Sequence, residues 1–455
     1  MINNILNYMY DLPIVGELIQ GGFSINFIIG SIVFALVALT IINGALKRSF
    51  DVNLLKELLV TIRNKNTQKI KRYNKKRDKF YRISTTSNFV SWQNEILKKI
   101  YSDYNLLSLF NKEYPIIIFE PKLNCIYPFK EFFSRHSELK SVNIPYFKLD
   151  RKQKFYTRMM GSTIKWPDLI GFEIDKFSLD EDSKIESFTA NVCQYKHNVV
   201  TSHILEYELY KCYINKRTAF SEKTSEEILH NLFYRKKIHR GKSQTEVVTT
   251  GCNRHSLLSV QMLVAYYDDE LDNYRVLLFQ RSKDVAIKPN YWQLIPAGGF
   301  EIFEKEETTN SYIIKQNFNI ELVLFRELIE EALDGEDFQY NKHGNIKEII
   351  NNHKDVVQIK EWLKSGQATL EFVGNVVDLV SLRSELSFVL VIDNPEFGKK
   401  NFKINHEGKD LQTIFIDELP HMLTEELLYP SSAGLLQLAM KSQSFKNRGL
   451  LQKSY

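Results

Sequence analysis

The first 46 residues contain no lysine and no arginine, and Asp11 and Glu17 are their only charged side chains. A cleaved secretory signal needs a basic start, so that reading is not the one expected. Cysteine is scarce too. Cys125, Cys193, Cys212 and Cys252 stand far apart with no CxxC pair, which excludes a zinc site built on cysteine pairs and a disulfide framework. Residues 49–87 lack proline and glycine, so nothing there interrupts a helix. Overall the chain is neither charge-rich nor apolar-poor: 44% of its 455 residues are hydrophobic and 25% charged. That composition excludes a disordered or collagen-like chain, and the length predicts two or three domains.

The net charge of +5 first suggests nucleic acid as a partner, but its distribution argues otherwise. Between Lys47 and Ser87 lie thirteen lysines and arginines against Asp51, Glu57 and Asp78. This stretch alone carries a net charge of +10, and the remainder is net negative by five. Immediately before it, Ser24 to Leu46 is an uncharged apolar run, long enough as a helix to cross a hydrocarbon core of ~30 Å. The positive-inside rule then predicts a single-pass protein of the cell membrane. Residues 1–23 lie outside, residues 24–46 span the bilayer, and the C-terminal domains are cytoplasmic. Membrane lipid is the expected partner of residues 24–46 and of the basic stretch 47–82. A nucleic-acid role for that stretch is the weaker reading.

Residues 47–112 read as a basic juxtamembrane segment and helical stalk, which makes a homodimer plausible. Phe89, Trp92, Ile96, Ile100, Tyr104 and Leu107 recur every three or four residues and predict a helical stripe that packs on a core or a second copy. Residues 113–250 read as an α+β region without an assigned role, strand-like from Phe188 and helical toward Ile214. His197 and His203 within it are expected to be packed or surface residues.

Residues 251–445 carry the chemistry, and 446–455 form a tail. Strand runs at Leu258 and Tyr274 precede Tyr291-Trp-Gln-Leu-Ile-Pro-Ala-Gly-Gly-Phe-Glu301. Further on comes Arg326-Glu-Leu-Ile-Glu-Glu331. The run from Glu321 to Leu333 predicts a helix capped by Asn319. On it Glu327, Glu330 and Glu331 share one face. Three acids on a face are often just solvated charge, but they also suit a hard divalent cation. Arg326 stands four residues before Glu330 and is placed to orient an acid. The adjacent glycines Gly298 and Gly299 permit close approach of the backbone.

Together these residues resemble the Nudix hydrolase signature, Gx5Ex7REUxEExGU, over roughly residues 255–445. The resemblance implies an α/β/α sandwich around a mixed sheet. It also implies Mg2+- or Mn2+-dependent hydrolysis of a nucleoside diphosphate linked to another group. It makes Glu330 and Glu331 metal ligands and Glu327 a ligand or the base. Arg326 then holds an acid in place, and the Gly298 carbonyl completes the metal site. Catalysis is expected from Glu327, Glu330 and Arg326, and substrate binding from Arg281 and Gly299. Two departures stand out. Lys305 to Phe325 separate Glu304, the expected first acid, from Arg326, and Leu333 replaces the final glycine of the motif. The leading expectation is a membrane-anchored hydrolase, and the alternative is a nucleotide-binding sensor or effector that cleaves weakly.

Overall fold

The computed structural model describes residues 54–161, 168–216, 220, 222–283, 285, 288–302, 310–335, 338 and 346–451. The apolar run 24–46 and Glu304 lie outside them. Among the described residues no helix is long and apolar enough to cross a membrane. The chain divides into two units, residues 1–75 and residues 76–455. The described part of the first is helical from Leu54.

The helix expected over residues 49–87 runs as α1 (Leu54–Ser84). A second helix, α2 (Ser87–Ile100), begins at a cap in which the Thr86 side chain accepts from the Phe89 amide. The apolar stripe of α2 is buried against its own chain. Phe89 and Trp92 meet Tyr213 edge-on at 5.2 and 5.3 Å, and Trp92 meets Phe220 at 5.9 Å.

The main sheet has nine strands among the described residues. It contains β1 (Ile116–Phe119) and β2 (Cys125–Ile126). A smaller sheet intervenes, made of β3 (Ser137–Ser141), β4 (Ile170–Leu179) and β5 (Ile185–Gln194). The main sheet then resumes with β6 (Leu258–Asp268), β7 (Asn273–Arg281), β8 (Trp292–Leu294) and β9 (Ala297–Gly299). It ends with β10 (Ala368–Asp378), β11 (Arg383–Ile392) and β12 (Gly408–Phe415). Its spatial order is β8-β7-β6-β11-β10-β1, with β9 on β6, β12 on β7 and β2 on β10. Strands β6 and β11 are parallel and the other pairs antiparallel, so the sheet is mixed, as expected. Every residue of β11 after Arg383 is buried, the mark of a strand covered on both faces.

Residues 116–126 lie in the region left unassigned by sequence, yet they complete the sheet of the C-terminal region. Strand β1 pairs with β10 from Asn375 to Asp378. The approach depends on Gly374, at a bulge in β10 with φ +138°, where a Cβ would stand 2.2 Å from the Phe119 carbonyl oxygen.

After β5 the chain turns helical, with a π-helical turn Val199–His203 leading into α4 (Ile204–Lys216); α3 (Arg151–Met160) precedes β4. His197 and His203 are packed, and burial pulls His197 down to about 4 and His203 well below the usual range. Lys236 to His239 belong to helix α5 (Phe233–His239). Arg235 in α5 is fully buried. It donates to the Leu379 and Val380 carbonyls at 2.8 and 2.6 Å and to the Tyr101 hydroxyl at 2.8 Å, fastening α5 and α2 to the loop after β10.

Removing that guanidinium strands two buried carbonyls, while His239 still reaches the Tyr101 hydroxyl at 3.1 Å. Arg235→Ala should cost about 3 kcal/mol in urea unfolding, whereas the exposed neighbour Lys236→Ala should change stability by less than about 0.5 kcal/mol. Equal effects at the two positions would remove Arg235 as the fastener.

Candidate active site

The site begins at the end of β9. Gly298 and Gly299 pair with Val260 and Ser259 of β6, so this short strand is fixed along its length. Facing it is α6 (Ile320–Leu328), which starts where the Asn319 side chain accepts from the Leu322 amide at 3.1 Å. The helix does not remain α-helical through its acidic end. Ile329–Leu333, which carries Glu330 and Glu331, is π-helical, a local widening common at functional sites. Part of the inserted segment, Ser311–Asn317, is also helical and is capped by Asn310.

Glu327, Glu330, Glu331 and Arg326 are all buried, with Glu331 only 2% exposed. The solvated-face reading of these acids is therefore excluded. Glu327 comes so near Gly298 that a Cβ there would sit 2.0 Å from its carboxylate. Arg326 Nη2 donates to Glu327 and to the Gly299 carbonyl, the latter at 2.7 Å. One guanidinium thus ties the acid to the diglycine strand. Glu331 accepts from the Ala297 amide at 2.7 Å, a second link between helix and strand. Glu330 accepts from the Phe338 amide at 2.6 Å and lies 3.7 Å from Arg326 Nε.

Gly299 therefore anchors Arg326 through its carbonyl. A Cβ on it would lie 2.5 Å from a carboxylate oxygen of Glu301. Arg281, the last residue of β7, donates to the Gln293 side chain, and its guanidinium lies 5.0 Å from the centre of the Tyr429 ring. It is close enough to Glu331 to favour the ionised acid. Trp292, in the run before the diglycine, is a core residue.

Three groups escaped the sequence reading. Glu301 follows the diglycine by two residues. Glu407 lies in Asn405-His-Glu-Gly408, which carries no spacing signal. Both influence the titration of Glu327. Arg383, the first residue of β11, donates to Ser259 at 3.0 Å and favours ionisation of Glu301.

Burial pushes the Glu327 and Glu331 carboxyls well above the ordinary range. Arg326 pulls Glu327 back, while Glu330, Glu301 and Glu407 push it further up. Glu331 is raised by Glu327 and Glu407 and lowered by the Ala297 amide and Arg281. Burial raises Glu301 as well.

Among the described residues no group of three His, Cys, Asp or Glu is set to hold a metal ion. The donor chemistry nevertheless suits a hard cation that takes one or two carboxylates and completes its shell with water and substrate phosphate. Crowded buried acids beside a cradle that a Cβ would fill are consistent with that arrangement.

No family model matches the chain, and no curated protein matches it. Among solved structures, it is similar to the NUDIX domain of Shewanella oneidensis NrtR complexed with ADP ribose (15% identity, 41% of this chain and 88% of that one, TM-score 0.25). It is also similar to a NUDIX hydrolase from Alicyclobacillus acidocaldarius (11% identity, 42% and 94%, TM-score 0.27). A third similar structure is a C. elegans Ap4A hydrolase binary complex (13% identity, 40% and 96%, TM-score 0.22). Likenesses of this size leave the interpretation of the site to its own residues.

The raised acids make a prediction about pH. Unfolded, these carboxyls lose their protons near 4.5, whereas folded they retain them to higher pH. The native chain binds more protons in that interval, so its stability should fall as pH rises through it. In EDTA the acids lower the urea midpoint of the full-length chain between pH 5 and pH 8, against the opposite contribution of His197 and His203, whose depressed imidazoles favour the native state as pH rises. Glu331→Gln keeps an acceptor for the Ala297 amide and removes part of the acids' share, so its midpoint should rise more, or fall less, from pH 5 to pH 8 than that of the wild type. An unchanged slope in this variant would contradict the assignment.

Proposed function

We propose that residues 251–445 act as a Nudix-type hydrolase that cleaves the pyrophosphate of a nucleoside diphosphate linked to another group. The observation that carries this reading is the joint made by Arg326, Glu327 and the diglycine strand. It places the helix acids of the signature against the backbone that the signature pairs with them.

The geometry supports the following roles. Glu327, held by Arg326, is a buried carboxyl with an elevated affinity for protons. This suits a base that takes a proton from the attacking water near neutral pH. Water adds to one phosphorus, the bridging P–O bond breaks, and the products are a nucleoside monophosphate and the phosphorylated remainder. Glu331 and Glu327, with the Gly298 backbone, are the groups that would hold Mg2+ or Mn2+. Glu330, whose carboxylate is engaged by the Phe338 amide and Arg326, supports them. The cation, when bound, would neutralise phosphate charge and lower the pKa of its water. Arg281 is assigned to the substrate phosphates and Gly299 to the positioning of Arg326.

The second reading, a nucleotide-binding sensor or effector with weak cleavage, is favoured by the engagement of Glu330 away from the diglycine. For either activity we place the domain at the cytoplasmic face of a membrane. The uncharged run 24–46 spans it, the basic stretch 47–82 contacts anionic lipid, and the N-terminus lies outside. A homodimer through the helical stalk fits this placement.

Two experiments test these readings. Full-length protein in detergent, given ADP-ribose or Ap4A with Mg2+, should release a nucleoside monophosphate, and Glu327→Gln should slow release about 100-fold or more. Glu331→Gln should weaken the response to added Mg2+. Tight nucleotide binding without turnover in the wild type selects the sensor instead. For the anchor, the intact chain should stay with the membrane pellet after extraction at high pH, and a chain without residues 1–46 should not. Release of the intact chain would remove the anchor.

A further inference from the structure

Away from the buried acids, the unit of residues 76–455 contains an open cavity of about 590 Å³, within the range of pockets that take small organic ligands. Its walls come from the end of α1, from α3, from α4 and from the start of α5. None of the acids of the candidate active site lines it.

Five cations surround this cavity: Lys76, Lys79, Arg151, Lys152 and Lys211. All five are exposed. Among the described residues none is within ion-pair distance of a carboxylate, in contrast to surface lysines elsewhere such as Lys98, Lys122 and Lys140. One acid, Glu208, lines the cavity, and it is already held by the Tyr234 and Arg235 amides at 2.7 and 3.2 Å. The cavity therefore sets five cations against one carboxyl group, which is itself engaged by two backbone amides.

Its other lining is aromatic: Phe155, Tyr207, Tyr210, Phe233 and Tyr234. The Lys76 ammonium lies 4.8 Å from the centre of the Phe155 ring, and that of Lys152 lies 4.6 Å from Phe233. Phe233 is 54% exposed at this cavity, a costly position for a ring that only filled a core. Flat apolar faces beside unpaired cations match a ligand with a flat ring at one end and phosphate at the other. Aromatic side chains stack on any base, and lysine and arginine take the phosphate.

We propose that this cavity is a second, metal-independent binding site for a soluble nucleotide, distinct from the carboxylate site. The aromatic walls take the base, and the five cations take the phosphates. The proposal does not depend on hydrolysis at the carboxylates.

The test is equilibrium binding of ATP, GTP, CTP and UTP to the full-length chain in EDTA, which removes divalent cations from the comparison. Adenosine and inorganic tripolyphosphate represent the two halves of the ligand. At least one nucleotide should bind more tightly than either half, and binding should weaken as salt rises. The double variant Lys152→Glu/Lys211→Glu changes only exposed side chains and should weaken binding at least 10-fold. Phe155→Ala should weaken the nucleotide but leave tripolyphosphate unchanged. Glu331→Gln should have no effect. The proposal is overturned by absence of nucleotide binding, by tripolyphosphate binding as tightly as any nucleotide, or by indifference to the charge reversal. Binding abolished by Glu331→Gln would also overturn it, by moving the ligand to the carboxylates. So would anionic vesicles that compete the nucleotide off only when the lysines are intact, which would make the cavity a lipid site.

Discussion

A carboxylate occupies the space that a side chain at residue 298 would need. The rest of the site is arranged around this contact. Because Gly298 has no Cβ, Glu327 can lie against the strand. Because Glu327 lies there, Arg326 can bind it and the next carbonyl at once. The Ala297 amide then captures Glu331 from the following turn. Strand β9 is itself fixed by β6, which is parallel to β11 in the middle of the sheet. The acids thus lie against a half-buried strand that is paired with the buried centre of the sheet, not against a surface loop. That is the scaffold expected where small displacements of a reacting group are expensive.

This placement has an electrostatic cost. Glu301, Glu327 and Glu331 are driven toward their neutral forms by burial and by one another. Arg281, Arg326 and Arg383 offset part of the repulsion, and each also has hydrogen bonds that fix its position. The arginines are therefore structural as well as electrostatic. Replacing any of them with lysine would keep the charge but lose the forked geometry that joins two partners.

Much of the site was legible because its constraints are local in sequence. The diglycine, the Arg-Glu-Leu-Ile-Glu-Glu run and the Asn319 cap each declare themselves within a few residues, and the structure brings the first two together. What sequence missed depends on long-range packing. Glu407 reaches the other acids only because β12 pairs with β7. Arg383 arrives because β11 lies beside β6. The widening of the helix over Ile329–Leu333 gave no compositional warning, since this stretch is as good a helix former as the turns before it. The region before residue 250 was obscure for the same reason. Its two strands β1 and β2 are short, and they serve a sheet whose remaining members come more than a hundred residues later.

The pairing of β1 and β2 with β10 also has a consequence for how the chain is made and dissected. Strand β10 is hydrogen-bonded to β11 along one edge, and its other edge is closed by residues 116–126. A ribosome releases those residues long before β10 exists, so the sheet closes late, across a separation of roughly 250 residues. Until then residues 116–126 present bare, apolar strand edges of the kind that recruit strands from other chains. Cutting the protein at residue 250 would make that transient state permanent. The boundary that sequence composition invites is therefore one across which the sheet is still continuous.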